Sequence, residues 1–241
     1  MPKEINNYIK QKIKERKDKN AFRTLSVEND LIDFCSNDYL GLARSQELAS
    51  RVEEELQKCT KKINGSTGAR TITGTLKLTQ DLELFLAQFH GAKSALIYNS
   101  GYTANLGLFS ALPYRGDTII YDELIHASIR DGIGLSRANS FSFRHNDLSS
   151  LEKKLSLAKG NKYVAVESIY SMDGDVAPLL EVSSICKKYN AALIVDEAHS
   201  NGIFGEKGEG LVSELGLEND IFARVMTFGK AIGCHGAAIL G

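Results

Sequence analysis

Lys230 lies in the glycine-containing turn Thr227-Phe-Gly-Lys230, between the apolar run that ends at Thr227 and a second one at Ala237–Leu240. A primary amine held in that setting can condense with an aldehyde to form a Schiff base. Upstream, the run Ala-Leu-Ile-Val ends in Asp196-Glu-Ala-His199. A carboxylate there, at low dielectric, can keep a pyridinium nitrogen protonated and so make a bound ring an electron sink. An imidazole one turn on, at His199, could hydrogen-bond a phenolic oxygen. Carboxylate, imidazole and lysine in this order along the chain suit pyridoxal 5'-phosphate (PLP). Each motif alone has a plainer explanation, because most lysines are solvated and an Asp with a nearby His often forms an ordinary surface pair.

Other residues add to the set. Ser100-Gly101-Tyr102 follows an apolar run and opens a helix, so its free backbone N–H groups and the helix dipole suit a phosphate. The Thr227 hydroxyl could join them, or could simply serve a turn. His126, in Tyr121-Asp-Glu-Leu-Ile-His126-Ala-Ser128, could stack on a flat ring, although a lone histidine is more often structural. His90, His145 and His235 receive no role. The run Asp-Glu-Ala-His also spells the acidic box of a helicase-type nucleotidase, but that activity needs a GxxxxGK[ST] phosphate loop, which is absent from the sequence.

The elements that must carry these residues alternate between apolar strands and amphipathic helices. Ser94–Tyr98, Thr118–Tyr121, Tyr163–Glu167, Ala192–Asp196 and Arg224–Thr227 read as strands, with a further one at Ala237–Leu240. Gln46–Cys59, Leu76–His90, Tyr102–Ala111, Leu148–Ala158 and Leu179–Tyr189 read as helices. This pattern predicts an α/β fold whose sheet is mostly parallel and covered on both faces. Ligands in such sheets bind beyond the carboxyl ends of the strands, where Ser100, Glu167, Asp196 and Thr227 all fall. The first twenty residues hold seven basic and three acidic groups, with Ile5, Ile9 and Ile13 four apart, and predict an amphipathic helix. Asn64–Gly74 is the longest polar loop.

With 241 residues, 43% of them hydrophobic, the chain can bury a substantial core. Its 29 basic and 30 acidic groups nearly cancel, which gives no global argument for nucleic acid. No apolar run reaches the roughly 20 residues of a membrane span, and no signal-peptide core is visible, so a cytoplasmic location is expected. Cys35, Cys59, Cys186 and Cys234 are scattered, with the spacing of reduced thiols rather than of a disulfide framework or a metal site.

Taken together, Phe34-Cys-Ser-Asn-Asp-Tyr-Leu-Gly-Leu42, Ser100-Gly-Tyr-Thr-Ala-Asn105, His126-Ala-Ser128, Ser171-Met-Asp-Gly-Asp175, Asp196-Glu-Ala-His199 and Thr227-Phe-Gly-Lys230 resemble the α-oxoamine synthase family of fold-type I PLP enzymes, from about residue 22 onward. The resemblance implies a large PLP-binding domain over residues 41–241, preceded by a helix and short strand segment over 1–40. It also implies a small C-terminal domain beyond the residues present, with an arginine for the substrate carboxylate, and a homodimer.

Lys230 would carry the cofactor and move protons, Asp196 would pair with the ring nitrogen, His199 with the phenolic oxygen, and His126 would stack. Ser100, Gly101, Tyr102 and Thr227 would hold phosphate, Glu167 and Ser171 would lie close by, and Arg23 and Asn37 would meet substrate. The family condenses an amino acid with an acyl-CoA thioester, losing carbon dioxide and CoA. The pairing of L-alanine with a pimeloyl thioester, as in biotin biosynthesis, fits the Ser-Asn-Asp-Tyr-Leu-Gly-Leu and Ser-Met-Asp-Gly-Asp runs. Glycine C-acetyltransferase, 5-aminolevulinate synthase and serine palmitoyltransferase activities stay open, as do a transaminase or aldolase-type lyase and a cofactor-binding fragment without turnover.

Overall fold

The computed structural model describes residues 3–25, 31–59 and 65–241. These fall into two compact units, residues 1–35 and 36–241. The first holds α1 (Lys3–Asp18), on which Ile5, Ile9 and Ile13 are exposed. Of the segment 1–40, expected to hold a helix and a short strand, residues 26–30 lie outside the described residues, and residues 31–40 carry turns and bends.

The second unit contains the helices α2 (Gln46–Lys58), α3 (Lys77–Phe89), α4 (Gly101–Ala111), α5 (Ala127–Leu135), α6 (Leu148–Leu157), α7 (Leu179–Lys188) and α8 (Leu211–Glu214). Its strands are β1 (Ala95–Tyr98), β2 (Thr118–Asp122), β3 (Asn139–Phe143), β4 (Lys162–Glu167), β5 (Ala191–Asp196), β6 (Ala223–Thr227) and β7 (Ala237–Leu240). They form one sheet in the order β1-β7-β6-β5-β4-β2-β3. Pairing is parallel from β6 through β5, β4 and β2 to β3, and β7 lies antiparallel between β1 and β6.

Successive side chains of a strand point to opposite faces, so each buried strand supplies two cores. Ile120, Val164, Val166, Leu193 and Val195 face α6, α7 and α8, where Leu151, Leu155, Leu179, Val182 and Val212 meet them. Ile119, Tyr163, Ala165 and Ile194 face the other way, onto Phe109 of α4 and Ile129 and Ile133 of α5. Helices α4 and α5 approach closely because Gly132 has no side chain; a Cβ there would lie 2.8 Å from the Asn105 carbonyl oxygen and 3.0 Å from Phe109 Cβ.

Three elements were not expected from sequence: β3, α5 and α8. Strand β3 has the sequence Asn-Ser-Phe-Ser-Phe and is mostly exposed at the sheet edge, α5 carries two glycines, and α8 is a single turn. Asn64 and the four residues before it lie outside the described residues. The rest of the polar loop tightens into a wide helical turn over Arg70–Gly74, tied down where Arg70 clasps Glu83 with two hydrogen bonds of 2.5 and 2.8 Å. Glu83 also accepts the Ile97 N–H at 2.8 Å, which links the loop through α3 to β1.

The turn after β4 is latched from outside. His145 sits between two carboxylates, with Nδ1 2.9 Å from Asp122 and Nε2 2.5 Å from Asp175, and packs edge-on against Tyr170. Partial burial alone would lower its pKa, but the hydrogen bonds to Asp122 and Asp175 outweigh that and raise it above 6.5. A histidine with a raised folded-state pKa stabilises the fold fully below its unfolded value, and the contribution is lost as pH climbs through the folded value. The urea midpoint of the protein should therefore exceed that of His145→Gln by more at mildly acidic pH than at alkaline pH; a gap that stays constant across this range would contradict the latch.

Candidate active site

The carboxyl ends of β1, β2, β4, β5 and β6 converge on a cleft of about 280 Å³. Its lining includes Ser100, Gly101 and Tyr102 after β1, His126 after β2, Glu167 at the end of β4, Asp196 at the end of β5, Thr227 at the end of β6 and Lys230 after it. A larger hollow of about 640 Å³ opens at the opposite ends of the strands, beside Lys162, Ala191 and Phe222. Among its charged groups, Asp220 is engaged by Lys187 and Arg224, on the buried side, by Glu197. The smaller cleft is where unsatisfied polar groups and a buried amine face one another.

Asp196 is buried, and both carboxylate oxygens are committed. Oδ1 accepts the Ala198 N–H at 2.9 Å and Oδ2 the Asn105 side-chain amide at 2.7 Å. The same Asn105 nitrogen lies 3.0 Å from Ser128 Oγ, which lies 2.7 Å from Nδ1 of His126. One polar chain thus runs from the carboxylate to the exposed ring of His126. Asn105 and Ser128 were not singled out from sequence. The available signal was a buried amide within the otherwise apolar α4.

The β4–β5 register puts Glu167 directly beside Asp196. Burial first, and the Asp196 charge second, push the Glu167 pKa up from 4.5 to about 8. The carboxyl accepts the His126 backbone N–H, while its Oε1 is buried without a partner. Glu197 Oε1 takes hydrogen bonds from Ser200 Oγ at 2.9 Å and the Val212 N–H at 3.0 Å, and its Oε2 lies 3.7 Å from Arg224.

At the β1 end, the Ser100 hydroxyl caps α4 by accepting the Thr103 N–H at 3.1 Å, and the first intrahelical bond runs from Ala104 N–H to the Ser100 carbonyl. The N–H groups of Gly101 and Tyr102 precede that bond and point out of the helix start. A Cβ on Gly101 would collide with the Thr227 methyl group, so only glycine lets the helix start approach β6 this closely. The Thr227 hydroxyl is buried there without a partner. Tyr102 is half exposed, donates its phenol to Asp131, and lies edge-on to His126 with ring centres 6.4 Å apart.

Lys230 is mostly buried, which lowers its pKa against the opposing pull of Asp196 and Glu167. Its Nζ lies 2.7 Å from His199 Nε2. Burial, then the charges of Lys230 and His126, lower the His199 pKa from 6.5 to about 4. His199 Nδ1 in turn lies 2.7 Å from the Tyr39 hydroxyl, and Asn37 Oδ1 lies 3.2 Å from that hydroxyl. Tyr39 was not assigned a role from sequence.

Of the residues expected at the site, Ser171 is exposed at the tip of the turn after β4, outside the cleft lining. Arg23 is exposed and belongs to the first compact unit. Asn37 reaches the cleft through Tyr39 rather than lining it. His235, left without a role above, does line it.

This arrangement is a recognisable class of site: a buried lysine opposite a buried carboxylate, with an anion cradle at a helix start. The chain belongs to the class I and II aminotransferase family, whose model matches residues 29–241. Within that family its relatives are α-oxoamine synthases. It is 41% identical to the 8-amino-7-oxononanoate synthase of Emericella nidulans, over 99% of this chain and 62% of that protein. Serine palmitoyltransferase of Sphingomonas wittichii superposes with a TM-score of 0.78 at 38% identity, covering 86% of this chain and 51% of the other. The 8-amino-7-oxononanoate synthase of Francisella tularensis gives 0.73 at 31% identity, covering 88% and 59%. The chain thus spans between about half and just under two thirds of the length of these proteins.

Glu167 yields a pH test without any ligand. A carboxyl whose folded pKa lies above its unfolded value holds an extra proton when folded, so stability falls as pH rises from about 4.5 to about 8. That interval corresponds to on the order of 5 kcal/mol. Glu167→Gln should remove most of this slope from urea midpoints measured between these limits; an unchanged slope would place the titrating group elsewhere.

Proposed function

We propose that this chain forms the cofactor-binding part of a PLP-dependent α-oxoamine synthase, which condenses a small amino acid with an acyl-CoA thioester and releases carbon dioxide and CoA. The observation that carries the proposal is the opposition of Lys230 to the Asp196–Glu167 pair across a cleft whose far end offers two outward N–H groups and the unpartnered Thr227 hydroxyl. These residues fit PLP. Gly101, Tyr102 and Thr227 would hold its phosphate, with Ser100 keeping the helix start in place. Asp196 would meet the ring nitrogen, His126 would stack on the ring, and His199 would face its phenolic oxygen. When bound, PLP supplies an electron sink for a carbanion at the α-carbon of the amino acid.

The chain supplies position and proton movement. Asp196 is held by Ala198 and Asn105 and would keep a proton on the ring nitrogen. Burial favours the free-base form of Lys230, so its Nζ can take a proton from the α-carbon and return it. Glu167, holding its own proton near neutral pH, avoids a second full negative charge beside Asp196.

Within this reading the substrates are L-alanine and a pimeloyl thioester, yielding 8-amino-7-oxononanoate. Support comes from the names of the Emericella and Francisella relatives, while the Sphingomonas structure keeps serine palmitoyltransferase-like chemistry as the sister alternative. A cytoplasmic homodimer completes the proposal. It is supported by the exposed Leu78, Leu82, Leu84 and Phe85 on α3 and by four free cysteines. No helix among the described residues is long and apolar enough to cross a membrane. A second reading is that these 241 residues bind PLP without turnover.

Release of free CoA from pimeloyl-CoA in the presence of alanine and PLP tests these readings. The first predicts alanine-dependent release that Lys230→Ala lowers at least about 10²-fold, as loss of a positioned proton carrier does. PLP binding with no CoA release supports the second reading, and amino-group transfer without any thioester would contradict the first.

A further inference from the structure

We propose that Tyr39 is a positioning residue that sets the tautomer of His199, so that Nε2 carries the proton facing Lys230 Nζ. The tyrosine has one proton and two neighbours. His199 Nδ1 is 2.7 Å away, a short contact of the kind O–H donors make; N–H···O bonds are usually about 2.9–3.0 Å. Asn37 Oδ1, at 3.2 Å, is the longer and weaker of the two contacts. The Tyr39 proton therefore goes to Nδ1. In a neutral imidazole, one nitrogen accepts and the other donates. With Nδ1 accepting, the hydrogen on Nε2 points at Lys230 Nζ, 2.7 Å away. Only a lysine with a free lone pair can accept it, so the contact selects the neutral, nucleophilic amine.

Local structure holds Tyr39 in place. The turn over residues 38–44 is closed by Asp38, whose carboxylate accepts the Ala43 N–H at 3.1 Å, and Gly41 adopts a left-handed φ of 68°. This turn lies directly on the loop that carries Lys230, because a Cβ on Gly233 would collide with the backbone of Leu42 and Ala43. The Tyr39 loop and the lysine loop are thus seated together, with His199 between their side chains. The charged or titratable groups that face His199 are Lys230, His126 and Tyr39. Burial first, then the neighbouring Lys230 and His126, disfavour a positive charge on His199, in keeping with an imidazole that stays neutral and works through its tautomer.

In the ligand-free chain the device keeps Lys230 ready to attack a carbonyl carbon. With PLP bound, a step that rests on the function proposed above, the same Nε2–H would be presented to the phenolic oxygen. Tyr39 itself would touch neither the cofactor nor the reacting atoms.

Long-range proton–nitrogen correlation NMR of ¹⁵N-histidine-labelled chain, without ligand and near neutral pH, reads the tautomer directly, and His199→Asn assigns the signal. The wild-type chain should show His199 protonated at Nε2. In Tyr39→Phe that preference should fall by about tenfold, as loss of one hydrogen bond implies. His199 protonated at Nδ1 in the wild-type chain overturns the proposal whatever the variant does, and so does an identical tautomer preference in a folded Tyr39→Phe chain. The same two proteins are then titrated with PLP. A visible band whose pH midpoint differs between them extends the proposal to the loaded site, and coincident midpoints limit Tyr39 to the ligand-free chain and overturn that extension. A lysine-dependent band absent from both refutes the function proposed above and leaves the tautomer result standing.

Discussion

The in-register pairing of β4 with β5 sets Glu167 beside Asp196 at the buried end of a parallel sheet, and much of the local structure is organised around that juxtaposition. Two carboxylates out of water and side by side repel, and each loses hydration. The fold answers with donors and with a proton. Asp196 is surrounded by the Ala198 N–H and the Asn105 amide, whereas Glu167 has only the His126 N–H and a pKa near 8. Donors around one carboxyl and a raised pKa on its neighbour let the two be buried side by side.

That asymmetry depends on helix placement. Asn105 reaches Asp196 because α4 starts immediately after β1, under the Ser100 cap, and because Gly132 lets α5 close against it. The same helix start supplies the outward N–H groups opposite Thr227. One short helix therefore serves both ends of the cleft, the carboxylate through a buried side chain and the anion cradle through its backbone. The lysine loop completes the arrangement from β6, and its position depends on Gly233, beneath the turn that presents Tyr39.

Much of this was legible in the sequence because parallel strands buried on both faces read as apolar runs that stop abruptly at polar residues. Glu167, Asp196 and Thr227 mark three such stops. Strand β3 was not legible because an exposed edge strand of Ser and Asn has no apolar run to detect, and α5 was masked by Gly132 and Gly134. The polar relay was harder still. Asn105, Ser128 and Tyr39 lie within motifs, but they act through contacts with residues 91, 23 and 160 positions away, and a motif does not say which distant partner its residue meets. Ser171 shows the converse, a motif position that the structure leaves at an exposed turn.

The central claim is that Lys230 is the amine that captures an aldehyde at this carboxylate pair. Borohydride reduction of the chain after incubation with PLP, followed by peptide mass spectrometry, tests it most directly. A single phosphopyridoxyl adduct on Lys230, absent when Asp196 is replaced by alanine, is the predicted result. Adducts spread over the surface lysines with none on Lys230 would contradict it.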